Sequence, residues 1–172
     1  MIRVLSTSAA SPPGTLDSLG DAELFVGLSE EQRRSLAALA RERAARAGET
    51  LFRLGEQAET FIIIRRGRVD LTFPLLVMGE TRETRFQSLD AGRTLAWSAL
   101  VPPYRLTMGA RATTDVEMLA FDRRPIEQLF REQPAIGHVV MSNLAGVVAA
   151  RLHELLALWV REVQRNVSQT YR

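Results

Sequence analysis

The residues suited to chemistry are few and badly spaced for catalysis. The two histidines, His138 and His153, stand fifteen positions apart with neither i,i+4 metal spacing nor an acidic partner pattern. Ser98 has no base that the sequence places beside it. With no cysteine at all, disulfides, thiolate metal sites and cysteinyl iron–sulfur clusters are excluded. A glycine-rich phosphate loop of the nucleoside-triphosphatase type is absent as well. What remains is binding chemistry. Trp97 offers a ring able to stack on a flat group, and Ser98 beside it a hydroxyl. Arg105, Arg93 and Arg111 are cations able to pair with an anion. No enzyme, metal or cofactor is expected.

The elements that must position these residues are legible from glycine spacing and hydrophobic period. Residues 1–20 are Ser/Pro/Gly-rich and read as a loose arm. A short helical turn follows at Asp21–Leu28. Ser29 and Gln32 fit a capping box that opens a helix with Leu36, Leu39 and Ala40 on one face. From Glu42 to Asp122, short runs rich in Ile, Val, Phe and Thr alternate with Gly, Asp or Pro. Strands are expected near 43–46, 49–52, 61–66, 69–76, 82–89, 110–112 and 116–121, with the segment 78–83 unassigned. Phe61–Ile64 is uniformly apolar, so that strand should be buried on both faces. Gly48, Gly55, Gly67 and Gly92 fall at the corners of an antiparallel roll.

Asp122 can cap a helix to about Glu132, and Pro134 restarts the chain. From Ala135 to about Val167 there is no proline and only two glycines, which predicts a helix of about 50 Å. It carries two apolar seams. Val140, Leu144, Val147 and Leu155 suit the chain's own roll. Ala145, Ala149, Leu152, Leu156, Trp159 and Val163 keep the four–three spacing of a coiled coil and ask for a second copy.

Composition narrows the setting. The 172 residues suffice for one domain with a real core. All 22 basic side chains are arginine against 20 acids, so a net charge of +2 carries a high pI without a large positive field. A nucleic-acid surface is not implied. No stretch is expected to span a bilayer or act as a signal peptide, and the protein reads as cytoplasmic, with no membrane partner. The chain begins with Met1 and is read as a whole gene product.

Helix, glycine-cornered roll, short helix and long terminal helix resemble a cyclic nucleotide-binding domain. The matching residues are GluThrLeuPheArgLeuGly, IleArgArgGlyArgVal and AlaThrThrAspValGluMetLeuAlaPhe, with the turn glycines. The effector domain of the bacterial catabolite-activator type of regulator is the most similar in layout. The resemblance implies an α+β fold: an antiparallel jelly roll with N-terminal helices and a long dimerisation helix. It also implies a phosphate-binding cassette, here Ala96, Trp97, Ser98, Ala99 and Leu100, followed after a ValProProTyr turn by Arg105, Leu106 and Thr107. In the family a Gly-Glu pair opens the cassette, the Glu takes the ribose hydroxyl, and an Arg takes the cyclic phosphate. Here Ala96 replaces the Gly, Trp97 the Glu and Leu106 the Arg.

Each lost charge-assisted hydrogen bond removes roughly 1.5–3 kcal/mol. Losing both costs at least about 4 kcal/mol, close to a thousandfold in affinity. Arg105 replaces the missing cation only if the register is bulged, because a one-residue shift turns a side chain to the other face. The alternative ligand is a flat or anionic one held by Trp97, Ser98 and the cassette helix N-terminus.

Transcription factors of the family continue into a helix-turn-helix; here the chain stops at Tyr171-Arg172, and direct DNA binding is not expected. The organisation expected is an arm (1–20), a roll (21–134) and a dimerisation helix with tail (135–172). Three functions stay open: a homodimeric regulatory module acting on an unidentified protein partner, a sensor of a ligand other than cyclic AMP, and a subunit whose DNA-binding part comes from a partner.

Overall fold

The computed structural model describes residues 15–170. Its helices are α1 (Thr15–Gly20), α2 (Glu30–Ala37), α3 (Arg123–Glu132) and α4 (Pro134–Thr170). Its strands are β1 (Arg41–Ala45), β2 (Thr50–Phe52), β3 (Thr60–Arg66), β4 (Val69–Val77), β5 (Glu80–Leu89), β6 (Thr94–Leu95), β7 (Gly109–Ala112) and β8 (Val116–Asp122). They form two antiparallel four-stranded sheets, ordered β1-β8-β3-β6 and β2-β7-β4-β5. This is the expected α+β jelly roll.

The two sheets face each other across one apolar core, built from Ile62, Ile64, Leu71, Leu89, Ala110 and Met118 among others. The helices cover the outer face of the first sheet. There Phe61, Ile63, Leu119 and Phe121 meet Phe25, Leu36, Ile126, Ile136 and Val140. Residues Phe61 to Ile64 are therefore buried whichever face they point to. Their uninterrupted apolar run, unusual for an antiparallel strand, follows from this double cover. Phe61 stacks on Phe121 with ring centroids 4.9 Å apart, and Phe25 meets Phe121 edge-on at 5.6 Å.

Two glycines show why the corners are needed. Gly67 has φ +91, and a side chain there would bring its Cβ to 2.3 Å from the Asp115 carbonyl oxygen. Gly92 has φ +82, with the Asp21 carbonyl 2.9 Å from the same virtual atom. The second contact lets the segment before α2 lie directly on the turn leading to β6.

Several expectations need correction. Thr15–Gly20 is helical, and Leu19 is fully buried, so the arm is shorter than residues 1–20; its first 14 residues lie outside those described. Asp21–Leu28 is a series of turns rather than a helix. The Ser29/Gln32 capping box is present, but α2 stops at Ala37, leaving Leu39 and Ala40 beyond it. Strand β6 was too short to carry a period. The segment 78–83 is a hairpin: Met78 and Gly79, with φ 53 and 84, form a tight turn between β4 and β5. Asp122 precedes α3 without capping it, because its carboxylate receives Arg41 and Thr60 instead.

The long helix is present as 37 residues, about 55 Å. Val140, Leu144 and Val147 are buried against the roll and Leu155 is half-buried, as their seam required. By length and composition α4 is also apolar enough to cross a membrane, with mean hydropathy 1.4, which corrects the expectation that no stretch qualifies. A third of that apolar stretch is buried within the protein.

Phe61→Ala is expected to destabilise the protein by about 3–5 kcal/mol in denaturant unfolding, since it opens a cavity at the aromatic stack on which sheet and helices meet.

Candidate functional site

The cassette forms where the helical layer meets the roll. Strand β6 ends at Leu95, and Ala96 turns the chain with φ 54, a left-handed backbone that costs a non-glycine residue energy. A single 3-10 turn, Trp97–Leu100, follows. It is shorter than the helix on which anion binding by an N-terminus was expected. Ser98 and Ala99 are buried, while Trp97 and Leu100 are half-buried and pack on the helix-side core.

The chain then turns through Val101–Tyr104, where the Arg123 guanidinium lies 4.2 Å over the Tyr104 ring. Gln57 and Arg105 pair across an antiparallel bridge, and Leu106 N–H donates to the Glu56 carbonyl. Arg105 faces outward, its Nη1 donating to the Gly55 carbonyl at 3.0 Å, and Leu106 faces inward. The register that would have turned Arg105 into the pocket is not adopted.

The pocket itself is lined by Phe52, Leu71, Ala96, Trp97, Ser98, Leu106, Thr107, Met108 and Arg151, and its cavity measures about 10 Å³. That is room for a single water. Of the residues expected here, the structure brings together Ala96, Trp97, Ser98, Leu106 and Thr107. Ala99 is in the core, and neither Leu100 nor Arg105 lines the cavity.

Arg151 was not anticipated. It comes from α4 and is only 5% exposed, the single charged side chain in the lining. Its sequence position carried a signal: it interrupts the roll-facing row Val140, Leu144, Val147, Leu155 at the place where an apolar residue belongs. Its Nη2 donates to the Thr94 carbonyl, while its Nε has no hydrogen-bond partner among the described residues. Burial pulls the guanidinium below the ordinary arginine range; Glu23 opposes this, and Arg93 adds to it.

Glu23 ties the neighbourhood together. One carboxylate oxygen accepts Thr94 N–H at 2.7 Å, and the other lies 3.0 Å from Arg93 Nε. Glu23 N–H in turn donates to the Gly92 carbonyl at 2.9 Å. Two arginines thus share one acid at the junction of β6, α4 and the segment before α2.

A larger concavity of about 1050 Å³ lies beside Arg46, Glu49, Arg66, Gly67 and Thr114–Glu117. It shares no residue with the cassette, and it mixes both signs of charge. No cluster of His, Asp or Glu fit to hold a metal occurs among the described residues.

The second seam of α4 is uncovered in the single chain. Ala145 and Ala149 are exposed, as are Leu152 (55%), Leu156 (52%), Trp159 (65%) and Val163 (39%). Leu156, Trp159 and Val163 stand beyond Leu155, which still packs against the roll.

Comparison with known proteins fits this geometry. The model of the cyclic nucleotide-binding domain matches residues 42–133. The catabolite activator protein of Thermus thermophilus is 27% identical, with a TM-score of 0.66 over 82% of this chain and 63% of that one. A cyclic nucleotide-binding domain from Methylobacillus flagellatus superimposes with a TM-score of 0.73 at 19% identity, covering 86% of this chain and 82% of its own. The N-terminal domain of a transcriptional regulator from Streptomyces coelicolor gives 0.66 at 22% identity, over 78% and 94%. In sequence, Glutaminase 1 of Bradyrhizobium diazoefficiens is 30% identical over 137 residues, 78% of this chain. The chain spans about a fifth of that protein, 21% of its length. This chain belongs to the cyclic nucleotide-binding domain family, a family of regulatory domains with the β-roll fold described above.

Removing the shared acid should expose the charge balance at the junction. Glu23→Gln is expected to cost about 2–3 kcal/mol in urea unfolding, because it leaves Arg93 and Arg151 uncompensated. Much of that loss should be recovered in the double variant with Arg151→Met, a non-additivity read by a double-mutant cycle.

Proposed function

We propose that this chain is a non-enzymatic regulatory module that acts as a homodimer through α4 on a protein partner, and that it does not hold cyclic AMP in the usual way. The observation that carries this reading is the closed cassette. Its cavity of about 10 Å³ compares with the several hundred Å³ a ligand of that size fills. Trp97 and Leu106 stand where an acid and an arginine would take ribose and phosphate, and both are in the lining.

The roll of residues 21–134 is then the regulatory part and the helix of residues 135–172 its output. The apolar row of Leu152, Leu156, Trp159 and Val163 supports pairing with a second copy, because it keeps coiled-coil spacing and the chain's own roll leaves it bare. The similarity to a segment of Glutaminase 1 supports a module that serves an enzyme. The similarity to Thermus catabolite activator protein supports a second reading, a subunit whose DNA-binding part comes from a partner. Direct DNA binding by this chain is not part of either reading, since its arginines are interleaved with acids. A cytoplasmic location accords with both.

Isothermal titration with cyclic AMP and cyclic GMP into the millimolar range should give no heat of binding. Micromolar binding of either would overturn the reading. Leu156→Glu should convert the dimer to a monomer in light scattering without changing the far-ultraviolet circular dichroism of the roll. A dimer that survives Leu156→Glu combined with Trp159→Glu would place the contact elsewhere.

A further inference from the structure

A glycine stands in β7 where the backbone does not demand one. Gly109 pairs with Thr72 of β4 and lacks the positive φ of the corner glycines. Space is what it supplies. A Cβ there would lie 2.6 Å from Thr72 Oγ1, 3.5 Å from the Phe52 carbonyl oxygen and 3.6 Å from Glu83 Oε2. Three oxygens thus converge above one bare backbone position. They belong to a cup of about 80 Å³ on the second sheet, whose lining also holds Arg53 and Arg111. Two slips of register shape it, one between Thr50 and Phe52 where β2 meets β7, the other between Leu71 and Thr72 where β4 meets β5. Such bulges re-aim the side chains beside them.

The polar groups of the cup are not spent on one another. Glu83, Arg53 and Arg111 make no ion pair among the described residues. Thr72 is only 7% exposed, and its hydroxyl has no hydrogen-bond partner among the described residues. Three charged neighbours lie just outside the lining. Glu56 accepts Arg53 N–H, Asp70 stands opposite Arg111, and Arg85 stands opposite Thr72. Arg53, Arg85 and Arg111 are therefore balanced by Glu56, Asp70 and Glu83. A metal ion or a phosphate would bring an uncompensated charge into this balance, whereas a guest carrying both signs would not.

We propose that the cup is a site for the head of a free α-amino acid, its ammonium on Thr72, Glu83 and the Phe52 carbonyl and its carboxylate on Arg53 and Arg111. An ammonium has three N–H donors, the number of acceptors gathered over Gly109. A guanidinium fork suits a carboxylate, and Arg111 commits only its Nε, to the Gly48 carbonyl at 2.9 Å. Volume sets the size of the guest. At about 10–15 Å³ for each water-sized group, the cup seats about five to eight non-hydrogen atoms. Glycine and L-alanine are of that size. The cup shares Phe52 with the closed cassette but no charged residue. The inference goes beyond the function proposed above and stands whether or not the cassette takes a cyclic nucleotide.

The test is isothermal titration of the full-length protein at neutral pH with glycine and with L-alanine. Sodium acetate and glycinamide serve as half-ligands, the first lacking the ammonium and the second the carboxylate. A saturable isotherm with a Kd of about 1 mM or tighter is expected for at least one amino acid. Both half-ligands should bind at least about tenfold more weakly, as should that amino acid to Glu83→Gln. Glu83 is exposed on β5, so this variant keeps the fold. Gly109→Ala plants a methyl group in the cup and should abolish binding; if it does not fold, Glu83→Gln and Arg53→Gln decide. No saturable heat from either amino acid overturns the site. So does a half-ligand that binds as well as the amino acid, or undiminished binding in Glu83→Gln.

Discussion

The arrangement turns on a guanidinium held out of water where α4 crosses the roll. Arg151 has to be buried there because α4 is kept on the first sheet by Ile136, Val140, Leu144 and Val147, and the next turn of the helix brings residue 151 to the same side. A charge in that position must be offset by something. The protein supplies the Thr94 carbonyl directly and Glu23 at longer range. Those two groups in turn dictate how β6 and the segment before α2 lie.

That requirement links features that look unrelated in the chain. Gly92 must be glycine for the Asp21 backbone to approach, which sets Glu23 over Thr94. The same turn leads through β6 to Ala96, whose left-handed backbone points Trp97 into the cassette. Sheet, cassette and long helix are thus connected through hydrogen bonds of a few residues rather than through apolar contact alone. A change at the pocket has a short physical route to α4, and a change in α4 has the same route back.

The fold was legible because it is written in features with a period or a strict torsional demand. The corner glycines, the apolar run Phe61–Ile64 and the two seams of α4 each follow from geometry that few residue types satisfy. What stayed hidden has equally physical causes. A two-residue strand has no period. The Met78-Gly79 turn takes positive φ at a methionine, which turn chemistry does not foretell. At the site, the substitutions Trp97 and Leu106 were visible from the resemblance, and the outward turn of Arg105 followed from strand alternation. Arg151 lies about fifty residues from the cassette in the chain, so no local spacing ties the two together. Only the interrupted apolar row of α4 marked it.

The central claim is that the cassette is closed by the chain's own side chains and does not respond to the family's usual ligand. Amide hydrogen exchange of the full-length protein, measured with and without millimolar cyclic AMP, tests it at the level of individual segments. The account predicts that segments 94–108 and 140–156 exchange at the same rate in both conditions, with the cassette already protected. Added protection of those two segments by cyclic AMP would show that the pocket opens, takes the nucleotide and passes the change to α4, which contradicts the account.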